Sequence, residues 1–252
     1  MSNTIAWNER TVGELAVEMP ESIRVFEAWK IDYCCGGGTS LAKAVEAAGK
    51  SVDQFVAELE SLSSLPGASV DWPSLGLSAM ATQIVAGFHG STREELQTVE
   101  PLAVKVLSVH GERRPELAVV VSLIRELRDD MLPHMLKEEQ ILFPYVEQME
   151  QAEHGHRAAP TPFFGTVKNP IRMMMLEHDR VGELLSKLRE VSQDYTPPES
   201  ACFSYRELYR RLEEFETMTH EHIHIENNLF FPRAVEMEDR VGAPAEMSGC
   251  SH

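Results

Sequence analysis

The chain carries two copies of one pattern, in which a histidine is followed four residues later by a glutamate and, after six more, by a proline. The segment from His134 to Pro144 reads HMLKEEQILFP, and the segment from His222 to Pro232 reads HIHIENNLFFP. Residues four apart lie on one face of an α-helix, so each copy places an imidazole beside a carboxylate. The two copies predict two helices that each contribute a pair of metal-binding side chains.

A further histidine precedes each copy by about 45 residues; these are His89 and His178. In an antiparallel helical hairpin, residues equally far from the turn lie at the same height. The midpoint of 89 and 134 falls between 111 and 112, in the segment GERRP, and the midpoint of 178 and 222 is 200, beside TPPE. The spacing therefore predicts two hairpins, each with its two histidines level.

Four imidazoles and two carboxylates are the donors of a non-haem di-iron or di-manganese centre inside a four-helix bundle. Two carboxylates from different hairpins can bridge two ions and leave room for an oxo or hydroxo bridge and a small ligand. Donor type alone does not separate iron from manganese. The predicted metal ligands are His89, His134, Glu138, His178, His222 and Glu226.

Other histidines and glutamates are interpreted as lying outside the centre. His110 follows His89 by 21 residues, which is about 31 Å of continuous helix, whereas paired metals lie about 3.5–4 Å apart. His220 and His224 flank His222 and are predicted to face outward. Glu139 and Glu177 could support neighbouring ligands, although a solvated rim carboxylate is the commoner role. A single His–Glu pair on a helix is usually an exposed pair, so the repetition carries the metal interpretation.

Helical patterns run through the chain and strand-like alternation is nearly absent, which predicts an all-α fold. Residues 1–64 are predicted to form a small helical domain, and the Pro- and Gly-rich stretch that follows reads as a linker. An antiparallel four-helix bundle is predicted over 77–237, and a disordered tail over 238–252. The long helices are placed near 78–110, 114–149, 169–193 and 201–236.

The formal net charge of −17 argues against nucleic-acid or anionic-membrane partners, since both require a basic surface. No stretch approaches the ~20 apolar residues of a membrane span, and no secretory signal is expected at the N-terminus. The four cysteines do not form the pattern of a disulfide framework. The expected compartment is the cytoplasm.

Cys34 and Cys35 lie in the segment DYCCGGG, residues 32–38, just before a predicted helix. Backbone N–H groups and the dipole at a helix N-terminus favour a thiolate. One interpretation is a redox-active or metal-contacting thiol pair, and the alternative is a tight turn with one thiol packed inside. We retain both cysteines as candidates for redox or iron-transfer chemistry and assign no catalytic residue.

The order His-x-x-x-Glu and the abundance of imidazoles differ from the Glu-x-x-His ligands of ferritin-like proteins. They resemble the hemerythrin-like domain, a four-helix bundle with a non-haem di-iron site. The whole chain is similar to the iron–sulfur cluster repair di-iron family (repair of iron centres), which joins an Asp-Tyr-Cys-Cys-Gly-Gly loop to such a bundle. The matching segments are residues 32–37, 134–144, 177–179 and 222–232.

This resemblance implies a cytoplasmic bacterial protein with two non-haem irons that restores iron–sulfur clusters after nitrosative or oxidative stress by donating iron. Its implied partners are damaged or apo iron–sulfur proteins and diatomic ligands such as NO or O2. The alternatives are a di-iron enzyme that reduces NO and a sensor of NO, O2 or redox state. The sequence leaves open whether the chain forms a homodimer.

Overall fold

The computed structural model describes residues 7–62 and 70–241, and within these ranges it contains helices and no strand. The predicted all-α fold is confirmed. In the N-terminal part, Thr11 and Glu14 form a reciprocal capping box that fixes the start of the first helix. The helices of this part are Val12–Glu18, Ser22–Trp29, Leu41–Ala47 and Val52–Leu62.

Four long antiparallel helices form the bundle. The first consists of Leu77–Ile84, the π-helical turn Val85–His89 and Gly90–His110. The second consists of Glu116–Lys137, the π-helical turn Glu138–Leu142 and Phe143–His154. The third is Lys168–Val191. The fourth consists of Phe203–Ile225, the π-helical turn Glu226–Phe230 and Phe231–Val241.

Each π-helical turn ends or begins at a predicted metal ligand, namely His89, Glu138 and Glu226. A proline lacks the N–H that an α-helix needs and its ring crowds the carbonyl four residues before it. Pro144 and Pro232 lie just after two of these turns, and the helices continue through both. The wider turns therefore accommodate the prolines and shift the register of the side chains next to the ligands.

The bundle has two apolar cores, and the predicted ligands lie between them along the bundle axis. The core toward the 111–115 turn contains Leu96, Leu123 and Leu208, and the core at the other end contains Met80 and Phe230. No helix in the described part of the chain is long and apolar enough to cross a membrane.

The last helix continues to Val241, so residues 238–241 are helical although the tail was predicted to begin at 238. Met237 and Val241 are buried, and Glu238 accepts a hydrogen bond of 2.7 Å from the N–H of Val167, next to the start of the third bundle helix. Burial and this remote cap give the segment contacts that a free tail would lack. The rest of the predicted tail, residues 242–252, and linker residues 63–69 lie outside the described ranges.

The cysteine loop of the N-terminal domain is seated on the fourth bundle helix by Asn228. The Asn228 amide donates to the carbonyls of Tyr33 and Cys34, both at 3.2 Å. A β-carbon at Gly13 would lie 2.6 Å from Asn228 Oδ1, and one at Gly37 would overlap the same atom. Gly37 in the loop and Gly13 in the helix Val12–Glu18 thus let the N-terminal domain approach this side chain closely.

We expect Gly37→Ala to destabilise the protein by about 1–3 kcal/mol, because the added methyl group overlaps Asn228 and must push the loop away. Gly38→Ala is the matched control, since a β-carbon there meets no atom within 4 Å. Urea unfolding of the two variants and the wild type measures the difference. Equal midpoints for Gly37→Ala and Gly38→Ala would show that the close packing on Asn228 does not hold the loop.

Candidate metal centre

The structure brings all six predicted ligands together in two adjoining clusters. One cluster contains His89, Glu138, His222 and Glu226, and the other contains His134, Glu138, His178 and Glu226. Within each cluster, the candidate ligand atoms lie within 4.8 Å of one another, and every residue is buried. Both glutamates belong to both clusters, whereas each cluster takes one histidine from each hairpin. This is the arrangement that two cations bridged by carboxylates would need.

In the second cluster, two imidazoles turn their Nε2 atoms toward each other. The Nδ1 atom of His134 donates to Glu177 Oε2 at 2.8 Å, and that of His178 donates to Asn227 Oδ1 at 2.9 Å. A neutral imidazole carries one proton, so both Nε2 atoms present lone pairs. They lie 3.0 Å apart. Two facing lone pairs are favourable only with a cation or a proton between them.

In the first cluster, His89 is likewise held through its outer nitrogen while its other nitrogen faces the cluster, but the residues that hold it are different. His89 Nδ1 donates to Glu139 Oε1 at 2.8 Å, and Arg93 donates to the same oxygen at 2.6 Å. His89 Nε2 points inward, 3.3 Å from Glu138 Oε2. His222 Nε2 lies 3.0 Å from Glu226 Oε1, and Phe88 stacks on the His222 ring at 5.2 Å.

Glu139 and Glu177, which the sequence left open as supporting groups, thus bind the outer nitrogens of two imidazoles. The hydrogen bond from His134 and the neighbouring Lys137 lower the pKa of Glu177 to about 2. Burial opposes ionisation of Glu139, but Arg93 and His89 still lower its pKa. Both carboxylates therefore stay ionised and hold the imidazoles in the tautomer whose Nε2 can bind a metal.

Glu138 is the electrostatically costly residue of the site. Its side chain is 0% exposed, and neither oxygen accepts a hydrogen bond from any residue that the structure describes. Burial, followed by repulsion from Glu226, raises the pKa of Glu138 well above its usual value. Two buried carboxylates facing each other require compensating positive charge. Paired divalent cations would supply it, so the donor set fits the predicted metals.

Two of the excluded histidines take positions that the sequence did not foresee. His224 was predicted to face outward, but it is 0% exposed and its ring lies 5.4 Å from that of Tyr33. His220 is partly buried and its Nδ1 lies 2.9 Å from Glu27 Oε1. Both do point away from the clusters, but the N-terminal domain covers that face of the helix. His110 belongs to neither cluster and its Nε2 lies 3.2 Å from Cys202 Sγ.

Cys34 and Cys35 lie against the bundle close to the second cluster. The Asn227 amide that accepts the His178 proton also approaches the Cys34 carbonyl oxygen at 3.4 Å. A methyl group at Gly182 of the third bundle helix would lie 3.7 Å from Cys35 Sγ. Cys34 is buried and Cys35 is partly buried. Contact with the Cys35 thiol, followed by burial, raises the pKa of the Cys34 thiol, so a thiolate at Cys34 is not favoured without a cation.

Comparisons with known proteins agree with this geometry. Residues 80–234 match the hemerythrin HHE cation binding domain, and residues 8–63 match ScdA_N, a domain of unknown function. The chain is 35% identical over 232 residues to the iron–sulfur cluster repair protein YtfE of Yersinia pseudotuberculosis serotype IB, a match that covers 92% of this chain and 99% of that protein. A YtfE protein of Yersinia pestis shows the same identity and coverage.

Proposed function

This chain belongs to the iron–sulfur cluster repair protein family and contains a hemerythrin-type cation binding domain, and on this premise we propose that it repairs damaged clusters by supplying iron. The observation that carries the proposal is the pair of buried clusters that share Glu138 and Glu226. Iron–sulfur clusters damaged by nitric oxide or oxidants lose iron, and a protein that stores two iron ions can replace it.

In this proposal the two clusters hold a di-iron centre. His89 and His222 would hold one iron, His134 and His178 would hold the other, and Glu138 and Glu226 would contribute carboxylates to both. When bound, the iron pair supplies redox chemistry and an open position for a diatomic ligand such as NO or O2. Iron is also the cargo, so the donors must release it on a signal. Imidazole ligands suit release better than a shell made only of carboxylates, because they carry no negative charge.

Protonation near neutrality is a poor release signal at His89 and His134. Burial and the neighbouring His222 lower the pKa of His89 to about 4, and burial also lowers the pKa of His134. These imidazoles therefore keep their lone pairs at pH values where an exposed histidine takes up a proton. Reduction of the iron or its reaction with NO is the better candidate for the signal.

The proposal is tested by measuring NO consumed and iron lost in the same sample. The purified protein is mixed anaerobically with increasing NO and an electron donor, and iron is assayed after gel filtration. A repair protein that donates iron is expected to lose iron in proportion to NO, up to two ions per chain. An NO-reducing enzyme would instead consume many NO per chain and keep its iron, an outcome that contradicts iron donation as the main activity.

The acceptors in this proposal are iron–sulfur proteins that have lost iron, and the place of action is the cytoplasm, where thiols such as Cys34 and Cys35 stay reduced. Transfer is measured by adding a cluster protein that has lost part of its iron and following the return of its absorption. The same mixture with a chelator-treated sample of the chain is the control. Recovery that is equal in both would show that the chain does not supply the iron.

A further inference from the structure

A cavity of about 540 Å³ lies between the cysteine loop and the bundle. Asp32, Cys34 and Cys35 line one side, and the bundle side is lined by one face of the third bundle helix together with Glu216 and His220 of the fourth. That face begins at Asp179, the neighbour of His178, and continues at spacings of three and four residues through Gly182, Glu183 and Ser186. The two thiols and the third bundle helix, which carries the proposed iron ligand His178, therefore line the same cavity.

We propose that Asp32, Cys34 and Cys35 form a second metal site, separate from the paired clusters, that binds one borderline divalent cation such as Fe²⁺. The site would receive iron as it leaves the bundle. This acceptor role rests on the function proposed above, whereas the metal site itself does not.

The three side chains already have the spacing of a metal site. One ligand atom from each, two sulfurs and a carboxylate oxygen, lies within 4.8 Å of the others. The Cys34 thiol points at Asp32 Oδ1, at a distance of 3.4 Å. The same oxygen accepts from the backbone N–H groups of Cys34 at 3.1 Å and Cys35 at 2.9 Å, which folds the loop around it. The shape of the site is therefore set before any cation arrives.

Binding exchanges protons for the cation. Each thiol loses its proton to solvent as its sulfur–metal bond forms, and the Asp32 carboxylate adds a hard oxygen donor. Two thiolates and one carboxylate carry three negative charges against the two positive charges of the cation. Thiolate pairs favour iron, zinc and copper(I) over magnesium or calcium. The remaining coordination positions open into the cavity and are available to water or to a client protein's ligand.

The charges around the cavity favour a cation. Its basic groups are already paired: Lys30 with Asp194 at 2.5 Å, and Arg189 with Glu216 at 2.8 Å. Among the residues that the structure describes, Asp32 and Asp179 form no ion pair with a lysine or an arginine. These carboxylates leave the cavity with uncompensated negative charge, which raises the local concentration of cations.

One side chain separates this site from the second cluster of the bundle. Asn227 Oδ1 accepts from His178 Nδ1 at 2.9 Å, and its Nδ2 approaches the carbonyl oxygen of Cys34 at 3.4 Å. The Cys35 thiol also lies close to the third bundle helix, since a β-carbon at Gly182 would be 3.7 Å from Cys35 Sγ. A single amide therefore links the outer nitrogen of His178 to the backbone of the cysteine loop.

Cobalt(II) is a suitable probe, because its bonds to thiolates give a charge-transfer band in the near ultraviolet that imidazole and carboxylate ligands do not give. The background variant is Cys202→Ser/Cys250→Ser, which removes every other thiol in the sequence. The iron-loaded protein is reduced, titrated anaerobically with Co²⁺ and compared with the same sample without Co²⁺. We expect one equivalent of Co²⁺ to produce the band.

Further variants in this background assign the band. Cys34→Ser and Cys35→Ser should each abolish it, and Asp32→Asn should weaken Co²⁺ binding about tenfold. The iron content should stay at the level of the wild type in all of them. Absence of the band in the background variant with reduced thiols, or an undiminished band in Cys34→Ser, would overturn the site.

The acceptor role has its own measurement. We expect Cys35→Ser to slow delivery of iron to a protein that lacks part of its cluster, while NO-driven loss of iron from the bundle stays as in the wild type. Equal delivery by Cys35→Ser and the wild type would overturn the acceptor role. If the band forms but NO releases no iron from the wild type, the metal site stands and the function proposed above fails.

Discussion

Removal of both metal ions is expected to lower the free energy of unfolding by about 8 kcal/mol, about 4 kcal/mol for each ion, when the loaded protein is held at a free metal concentration about 1,000 times the Kd of each ion. Ions that bind only the folded chain stabilise it by mass action. The six donors come from four helices and are separated by up to 137 residues, from 89 to 226. The unfolded chain cannot assemble them, so nearly all of the binding energy is available to the fold.

The stripped site also carries unfavourable contacts of its own. Glu138 and Glu226 are both 0% exposed, and the Nε2 atoms of His134 and His178 lie 3.0 Å apart. Without cations, the raised pKa of Glu138 means that this carboxyl group takes up a proton to remain buried. The stripped bundle is therefore expected to loosen around the site before the rest of the chain unfolds.

Urea unfolding of the protein as purified, after chelator treatment, and after reloading with Fe²⁺ measures this effect. Reloading should restore the original midpoint, which separates metal loss from irreversible damage. The N-terminal domain provides an internal comparison, because its core is built from Phe26, Phe55 and their neighbours away from the clusters. Identical midpoints with and without metal would show that the bundle is stable without its cations.

The fold class and the long helices could be predicted because their signals are local. Apolar residues at helical spacing predicted the first bundle helix at 78–110, and it spans Leu77 to His110. Turn-rich segments at the hairpin midpoints predicted which residues face each other. The six proposed ligands follow from the same reasoning, since level positions in two hairpins of one bundle must meet near a common height.

The π-helical turns at His89, Glu138 and Glu226 could not be read from the sequence. A wider turn costs backbone energy and forms only where the tertiary structure offsets it, for example by seating Pro144 or by aiming a ligand inward. The partition of the histidines was also hidden. The heights of residues within each hairpin do not determine that His89 and His222 belong to the same cluster. That pairing depends on how the two hairpins pack against each other in the bundle.

The position of the cysteine loop was beyond the sequence for a related reason. Its contacts with Asn227 and Asn228 join residues separated by more than 190 positions. No local pattern encodes such a contact, and the two asparagines look like ordinary polar residues near a helix end. The same docking explains why His224 is buried. The face of the fourth bundle helix that points away from the metal clusters is covered by the N-terminal domain.

The substitution with the largest expected effect on the site is Glu226→Gln. Glu226 belongs to both clusters, with Oε1 3.0 Å from His222 Nε2 and Oε2 3.2 Å from His178 Nε2. Glutamine has nearly the same shape but no negative charge, so both ions lose an anionic bridge. Loss of a group that only supports a ligand costs up to about 100-fold in affinity. The loss of a shared ligand should exceed this for both ions.

Iron analysis after gel filtration should therefore find little iron in Glu226→Gln. His89→Ala should keep about one iron per chain, because the second cluster retains all of its residues. Glu221→Gln is the matched control, since Glu221 lies on the same helix and belongs to neither cluster. Retention of both irons by Glu226→Gln would contradict a shared carboxylate. A complete loss in His89→Ala would show that neither ion is held without the other, and the clusters would then act as a single cooperative site.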